Sequence, residues 1–187
     1  WFEDDQPILW WSPAPRAVLY PADFSPSRSL KKTIRKKTFR VTVDTAFPKV
    51  IVSCSKPRPS GDGTWITNNM IEAYINLHNL GYAHSVEAWE DEELVGGLYG
   101  ICLGSIFFGE SMFSRKSDAS KVAFCSLVEL CNNKGINLID CQVANPHLAS
   151  LGATDISRQT FKSHLQTLIS DQNAIDIHKG TWTPITE

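Results

Sequence analysis

The sequence predicts an α+β fold in which helices and an antiparallel meander are followed by a crossover to a further strand. Three patterns support this class: apolar runs at 106–108 and 136–139 that flank a helix-length segment, alternating apolar residues between 84 and 114, and amphipathic stretches elsewhere. At 187 residues and 42% hydrophobic content, the chain is long enough for one core and a small appendage.

The elements predicted for the first half are, in order, a helix over 25–37, a strand over 39–43, a loop over 56–63 and a helix over 67–80. Ser25 has the residue type of an N-cap, and Pro26 suits the first helical position. Thr67 is the corresponding cap of the second helix, which we expect to stop at Gly81.

The elements predicted for the second half are a three-stranded meander over 84–114, a helix over 118–135, a strand that starts with the apolar run 136–139 and carries Asp140, a short helix near His147, a helix over 157–169 and a loosely ordered tail over 171–187. Residues 90–93 and Gly104-Ser105 supply the turns of the meander, and Asp118 and Gly135 mark the ends of the long helix. A crossover through that helix would set the strands that contain the runs 106–108 and 136–139 side by side.

Two carboxylates stand at the ends of these apolar strands. Glu110 follows the last strand of the meander, and Asp140 lies beside Gln142 on the next strand. Ionised side chains are rarely buried without a partner, so each acid needs water, a cationic ligand or a structural salt bridge. The presence of both acids and Gln142 together favours a shared binding pocket over a salt bridge.

A basic face is the second candidate site. Residues 28–40 contain seven of the eighteen Lys and Arg residues and no acid, although the net charge of the chain is only −2. The cations Arg28, Lys31, Lys32, Arg35 and Lys36 share one side of the predicted helix, while Leu30 and Ile34 lie on the other. Such a face is either a solvated surface or a contact for a phosphate backbone, and we favour RNA.

Composition excludes several other classes. No apolar run approaches the ~20 residues of a membrane helix, and no signal peptide is recognisable, so we expect a cytoplasmic protein. Five cysteines without a Cys-x-x-Cys pair, and histidines outside any ligand spacing, predict no disulfide framework and no metal site. Cys141 is a packing residue rather than a nucleophile, because strand alternation directs it away from Asp140 and Gln142.

Several ordered motifs make the chain similar to the bacterial leucyl/phenylalanyl-tRNA-protein transferases. The resemblance runs from Trp1 to about Phe161 and is carried by the motifs Ile8-Leu9-Trp10-Trp11-Ser12-Pro13, Pro15-Arg16-Ala17-Val18-Leu19, Gly63-Thr64-Trp65-Ile66, Gly97-Leu98-Tyr99-Gly100, Gly109-Glu110-Ser111-Met112-Phe113-Ser114 and Asp140-Cys141-Gln142.

The resemblance implies an acetyltransferase-like (GNAT) catalytic domain over 16–187, with 1–15 as the remnant of a truncated N-terminal domain. It also implies a monomeric aminoacyltransferase that moves Leu, Phe and less readily Met from aminoacyl-tRNA to the α-amine of proteins beginning with Arg or Lys, which marks them for N-degron proteolysis. Aminoacyl-tRNA is the donor, and no further cofactor is expected.

The same resemblance implies roles for individual residues. Asp140 and Glu110 would hold the cationic end of the acceptor, either its side chain or its α-ammonium, and Asn145 would orient its backbone. Gln142, oriented by Asp140, would contact the attacking amine and help to move its proton. The implied pocket for the transferred side chain consists of Trp1, Trp65, Leu98, Phe107, Met112, Leu127 and Ile139. The implied contacts to the tRNA acceptor stem are Arg28, Lys32, Arg35 and Lys36.

Two other functions stay open. An acyl-CoA-dependent N-acyltransferase would share the fold, but such enzymes usually hold pyrophosphate with a glycine-containing loop at a helix N-terminus, and residues 114–121 contain no glycine. A noncatalytic tRNA- or RNA-binding module would need the basic face but not Glu110, Asp140 and Gln142.

Overall fold

A computed structural model describes residues 11–57, 64–169, 177 and 180–182 of the chain. Its elements, in chain order, are β1 (Arg16–Leu19), a short 3-10 helix (Pro21–Asp23), α1 (Arg28–Arg35), β2 (Arg40–Val43), α2 (Phe47–Cys54), α3 (Asn68–Asn79), β3 (Ala83–Glu90), β4 (Glu93–Leu103), β5 (Ile106–Ser114), α4 (Ala119–Lys134), β6 (Leu138–Gln142), α5 (Pro146–Ser150), β7 (Thr154–Ile156), α6 (Arg158–Leu168) and β8 (Gly180–Trp182).

The strands form one mixed sheet in the order β7-β1-β6-β5-β4-β3-β2-β8. All neighbouring strands are antiparallel except β5 and β6, which run parallel and are joined by α4. This arrangement confirms the predicted meander, the crossover helix and the final strand beside β5. The fold therefore combines helices with one mixed sheet, which is consistent with the predicted α+β class.

Helices cover both faces of this sheet. Alternation along β4 directs Leu98 towards the cluster that contains α4 and Leu30 of α1, whereas the next residue, Tyr99, packs with Phe47 of α2 and Tyr74 of α3. At the other end of the sheet, α6 packs through Phe161 on the face opposite α4. The two faces therefore have separate cores, and a ligand site that crosses the sheet must pass between strands.

The first helix and the tail differ from the prediction. α1 begins at Arg28 rather than near Ser25, because the Ser27 hydroxyl is the N-cap and accepts the Leu30 N–H at 3.3 Å. It ends at Arg35, and Lys37 has a left-handed φ of 52°. The tail is not wholly without regular structure: Ile177 is buried and β8 pairs with the outer edge of β2, which supplies partners for its backbone.

Four further elements, β1, the 3-10 helix, α2 and β7, had no predicted counterpart. The domain boundary predicted at residue 16 stays a prediction, although β1 also starts at that residue. The remnant of an N-terminal domain stays a prediction, since residues 1–10 lie outside the described ranges. Among the described residues, no helix combines the length and the apolar character that crossing a membrane requires.

Gly96 on β4 allows α4 to lie directly on the sheet. A Cβ atom at this position would stand 2.6 Å from the Ala119 Cβ and 2.8 Å from the Ala119 backbone carbon. Non-bonded carbon atoms do not approach so closely, so any side chain at residue 96 must push the first turn of α4 away from the sheet. Ser120 in that turn lines the cavity described below, so this contact also fixes one wall of the site.

We expect Gly96→Ala to lower the free energy of unfolding by about 1–3 kcal/mol, because overpacking forces the helix and sheet apart. Urea denaturation followed by circular dichroism measures the change. Glu93→Ala, at an exposed position of the same strand, is the matched control and should shift stability by no more than about 0.5 kcal/mol. An unchanged midpoint for Gly96→Ala would contradict the close contact.

Candidate active site

A cavity of about 680 Å³ lies where β5 and β6 separate. Phe108 and Asp140 are the last residues that pair between the two strands, whereas β5 continues to Ser114. The cavity contains side chains from both predicted groups: the pocket residues Trp65, Leu98, Phe107, Met112, Leu127 and Ile139, and the polar residues Glu110, Asp140, Gln142 and Asn145. Trp1, also predicted for the pocket, lies outside the described residues.

One wall of the cavity is apolar. Leu98, Phe107, Leu127 and Ile139 are buried members of the α4-side core, and Met112 packs against them. Phe124 of α4 lines the same wall, although the sequence analysis did not single it out. Trp65 contributes from the α2 and α3 side. This wall can accommodate an apolar side chain but offers no charge to orient it.

Asp140 has a cationic partner within the protein. The Arg16 Nε donates to Asp140 Oδ1 at 2.9 Å, and an Nη of Arg16 donates to Oδ2 at 2.7 Å. The Asp140 side chain is fully buried and that of Arg16 is 12% exposed. Asp140 therefore forms a structural salt bridge and also lines the cavity that it shares with Glu110 and Gln142. A fork of this kind satisfies both carboxylate oxygens and leaves little capacity for a further cation.

Gln142 bridges the gap between the two strands. Its backbone N–H donates to Asp140 Oδ1 at 2.9 Å, and its Nε2 donates to the Gly109 carbonyl oxygen at 2.8 Å. The backbone adopts a left-handed φ of 66°, which is uncommon for a residue other than glycine. A β-bulge precedes it: Ala17 pairs with Gln142 and Val18 with Asp140, so Cys141 is the extra residue.

Glu110 occupies a second bulge, on the neighbouring strand. Tyr99 pairs with Ser111 and Gly100 with Gly109, so Glu110 has no partner on β4. Its carboxylate accepts hydrogen bonds from the Tyr74 hydroxyl and the Gln142 side chain. Burial raises the pKa of Glu110; these two hydrogen bonds and Arg16 oppose the rise, whereas Asp140 adds to it. Unlike Asp140, Glu110 has no Arg or Lys fork among the described residues.

The two Gln142 amide protons are thus directed at acceptors, the Gly109 carbonyl and the Glu110 carboxylate. The Gly109 carbonyl and the ionised Glu110 carboxylate can only accept hydrogen bonds, so the amide nitrogen of Gln142 faces them. Among the described residues, no hydrogen-bond donor contacts Gln142 Oε1, so this oxygen can accept a hydrogen bond from a bound N–H group.

Cys141 and His147 also line the cavity without a reactive arrangement. Burial, with Asp140 second, raises the pKa of the Cys141 thiol to about 12, so the nucleophilic thiolate is scarce at neutral pH. Cys141 packs against the α4-side core, which supports the packing role predicted for it. Burial and the nearby Lys121 lower the pKa of His147. Within the described ranges, no group of three or more His, Cys, Asp or Glu side chains is arranged to hold a metal.

The predicted basic face lies outside the cavity but close to one end of it. Arg28, Lys32, Arg35 and Lys36 are exposed, and among the described residues none forms an ion pair with an acid. Leu30 anchors α1 in the core, and Thr33 donates to Asp118 at 3.2 Å, at the start of α4. Since Ser120 of α4 lines the cavity, α1 and the cavity are joined through one helix terminus.

Two residues of the polar network, Arg16 and Tyr74, were not predicted. A signal for Arg16 existed, because a buried strand-end acid requires a cation, but the sequence does not show which of eighteen Lys and Arg residues supplies it. Tyr74 lies on α3 as part of an ordinary apolar stripe, and only tertiary packing, with its ring against Tyr99 of β4, brings its hydroxyl to Glu110.

The chain belongs to the leucyl/phenylalanyl-tRNA-protein transferase family. The family model described as "Leucyl/phenylalanyl-tRNA protein transferase" matches residues 18–166. Curated relatives carry the same name: the protein of Pseudomonas fluorescens is 55% identical over 92% of this chain and 76% of its own length, and that of Chromobacterium violaceum is 54% identical over 89% of this chain and 71% of its own.

A further relative of that name, from Psychrobacter arcticus, is 51% identical over 99% of this chain and 70% of its own length. Among solved structures, one titled "The structure of L-PGS from Bacillus licheniformis" aligns with a TM-score of 0.47 at 13% identity, over 89% of this chain and 57% of that one. The family identified from the motifs is thus confirmed by the sequence comparisons.

Proposed function

We propose that this chain transfers Leu, Phe or Met from aminoacyl-tRNA to the N-terminal α-amine of proteins that begin with Arg or Lys. Membership of the family makes it a tRNA-dependent aminoacyltransferase. One observation supports the assignment of substrates: an apolar wall, the Gln142 amide and the Glu110 carboxylate line the same cavity. Each of these three parts suits one component of the reaction.

The apolar wall suits the side chain of the transferred amino acid. Leu98, Phe107, Met112, Leu127 and Ile139 present only carbon and sulfur to it, so an apolar side chain gains by leaving water and a charged one loses its hydration. Such a pocket separates side chains that differ by one methylene by only about 1–3 kcal/mol. Acceptance of several large apolar side chains follows.

Transfer requires the acceptor amine to attack an ester that is already activated. The amine nitrogen forms a bond to the ester carbonyl carbon, the bond from that carbon to the tRNA ribose oxygen breaks, and the amine proton goes to the departing oxygen. At an ordinary pKa of about 7.7–8.0, part of the amine is unprotonated at neutral pH. Gln142 Oε1 accepts an N–H hydrogen bond from it, which directs the lone pair towards the ester, and Asn145 orients the acceptor backbone. Positioning supplies the catalysis.

Glu110 is the carboxylate that meets the acceptor's cationic side chain. Asp140 is occupied by Arg16, so its part in the reaction is to hold Gln142. The bulged Glu110 faces the cavity with neutral hydrogen-bond donors as its partners, and its charge is therefore available to a guanidinium or ammonium group. Because the Glu110 carboxylate and the bound cation would both be buried, water competes less for their hydrogen bonds.

The direct test of the function is transfer of labelled Leu from Leu-tRNA to a peptide that begins with Arg, beside the same peptide beginning with Ala. We expect labelling of the Arg peptide alone, because the Ala peptide offers no cation to Glu110. The assay is run with this chain and with a longer version that carries additional residues at its N-terminus. Binding of tRNA without transfer by either version would favour the noncatalytic RNA-binding alternative.

Replacing Glu110 with Gln should remove the preference for a cation. Arg and citrulline peptides have nearly the same shape and differ in charge, so we expect the ratio of their kcat/KM values to fall by about 10- to 100-fold in Glu110→Gln, the cost of a charged hydrogen bond. Glu93→Gln is the remote control. An unchanged Arg-to-citrulline ratio would contradict the assignment of Glu110 to the side chain.

The assignment of Glu110 also predicts how the rate of transfer depends on pH. Only ionised Glu110 attracts the cation, and its pKa is raised, so the kcat/KM for the Arg peptide should fall on acidification at a higher pH than an ordinary carboxyl would give. Glu110→Gln should lose this decline and keep the separate one that protonation of the amine causes. The kcat/KM profile of the Arg peptide between pH 5 and 9 measures both.

The α1 cations suit the tRNA acceptor stem. They are exposed, lie on one face and have no acid among them, so phosphate groups can neutralise them with release of counterions. The contact between Thr33 and Asp118 sets α1 beside the helix that lines the cavity. A stem held on α1 would therefore bring its aminoacylated end towards the apolar wall.

Replacement of Arg35 and Lys36 by Ala should weaken tRNA binding and reduce the slope of log Kd against log salt by about 1 to 2, because two phosphate contacts are lost. Fluorescence anisotropy over a salt series measures the slope. The double variant Lys56→Ala with Lys162→Ala removes the same charge from exposed positions on the opposite face of the sheet, and we expect its slope to match that of the unmodified chain. Equal slopes for all three proteins would exclude α1 as the tRNA contact.

The remaining parts of the proposal concern the wider setting. A GNAT-like domain over 16–187 is supported by the mixed sheet with one parallel pair and by the crossover α4. An acyl-CoA donor is disfavoured, because Asp118 places a carboxylate at the start of α4, where pyrophosphate would bind. We further propose that the protein is cytoplasmic, since aminoacyl-tRNA is its donor. We also propose that it is a monomer and that it marks its products for N-degron proteolysis.

A further inference from the structure

Arg16 has an environment unlike that of the basic helix. Its guanidinium forms the two-point contact with Asp140, and its Cζ lies 4.9 Å from the centre of the Phe161 ring. These contacts join β1, β6 and α6. With its side chain 12% exposed, Arg16 is enclosed by the protein and its charge is directed at one carboxylate. It is therefore not a surface cation for tRNA.

The effect of Arg16 extends beyond Asp140 by one hydrogen bond. Asp140 Oδ1 accepts from Arg16 Nε and also from the Gln142 backbone N–H, both at 2.9 Å. The second bond holds Gln142 in its left-handed conformation, which a residue with a Cβ adopts only when the surroundings compensate. The orientation of the Asp140 carboxylate thus determines where the Gln142 side chain leaves the backbone.

We propose that Arg16 is a positioning residue for transfer, acting through Asp140 on the Gln142 amide. This inference rests on the proposed function, in which Gln142 Oε1 orients the attacking amine. Arg16 neutralises the Asp140 carboxylate and also orients it. Its Nε holds Oδ1, the oxygen that accepts from the Gln142 N–H, and its Nη holds Oδ2. A single ammonium group cannot hold both oxygens in one plane.

The test compares Arg16→Met, Arg16→Lys, Asp140→Asn and the double variant Arg16→Met with Asp140→Asn in the transfer assay. We expect Arg16→Met to lower kcat on the order of 100-fold with the KM for the Arg peptide nearly unchanged, as misplacement of a reacting group does. Arg16→Lys should recover only part of this loss. Because both residues act on Gln142 through one contact, the double variant should be no slower than the slower single variant.

A purely structural role would give a different pattern. Loss of activity in proportion to loss of folded protein in thermal denaturation, or losses that multiply in the double variant, would overturn the inference. If Arg16→Met does not fold because Asp140 is left buried without its cation, the double variant, which has no such charge, is compared with Asp140→Asn alone. A further 10-fold or greater loss in kcat would then count against an action through Asp140.

A second measurement does not depend on transfer. Hydrogen exchange of the Gln142 backbone amide, followed by NMR, should be at least 10-fold faster in Arg16→Met than in the unmodified chain, with the amides of β3 unchanged. If the unmodified chain transfers nothing, the proposed function fails, and with it the catalytic part of this inference, whereas faster exchange would still establish the link from Arg16 to Gln142. Unchanged exchange would overturn that link whatever the activity.

Discussion

The site depends on where the parallel pairing of β5 and β6 stops. Beyond Phe108 and Asp140 the strands separate, and a sheet that opens in this way leaves backbone groups without ladder partners. The Gln142 side chain supplies one of the missing bonds by donating to the Gly109 carbonyl. The opening is therefore kept by a side chain rather than closed by the backbone, which makes room for a cavity of about 680 Å³ between the two cores.

The division of the cavity follows from the two faces of the sheet. Side chains directed towards α4 are apolar and close-packed, whereas the charged network lies with Arg16, Asp140 and Glu110 towards α3 and α6. Each bulge adds one residue to a strand and so redirects the side chains that follow it. Two bulges at adjacent strand ends bring the acid of one strand and the amide of the other to the same opening.

Periodicity and turn chemistry predicted the elements that have strong local signals. The meander, α3, α4, β6 and α6 all combine a clear apolar pattern with a recognisable cap or turn, such as Thr67, Gly104 and Gly135. β1 and β7 are four and three residues long and have no such signal, so they are defined only by their pairing. The sequence motifs predicted which residues form the candidate site. Apart from the cations of α1, all of these residues that the structure describes line one cavity.

The sequence by itself determined the family, the class of fold, the crossover that brings β5 beside β6, and the residue types at their ends. Tertiary structure decided which acid is paired with an arginine. Arg16 and Asp140 are 124 residues apart, and they meet only because β1 enters the sheet next to β6. Such a long-range contact leaves no local pattern in the chain, because it depends on strand order and bulge position rather than on the spacing of neighbouring residues.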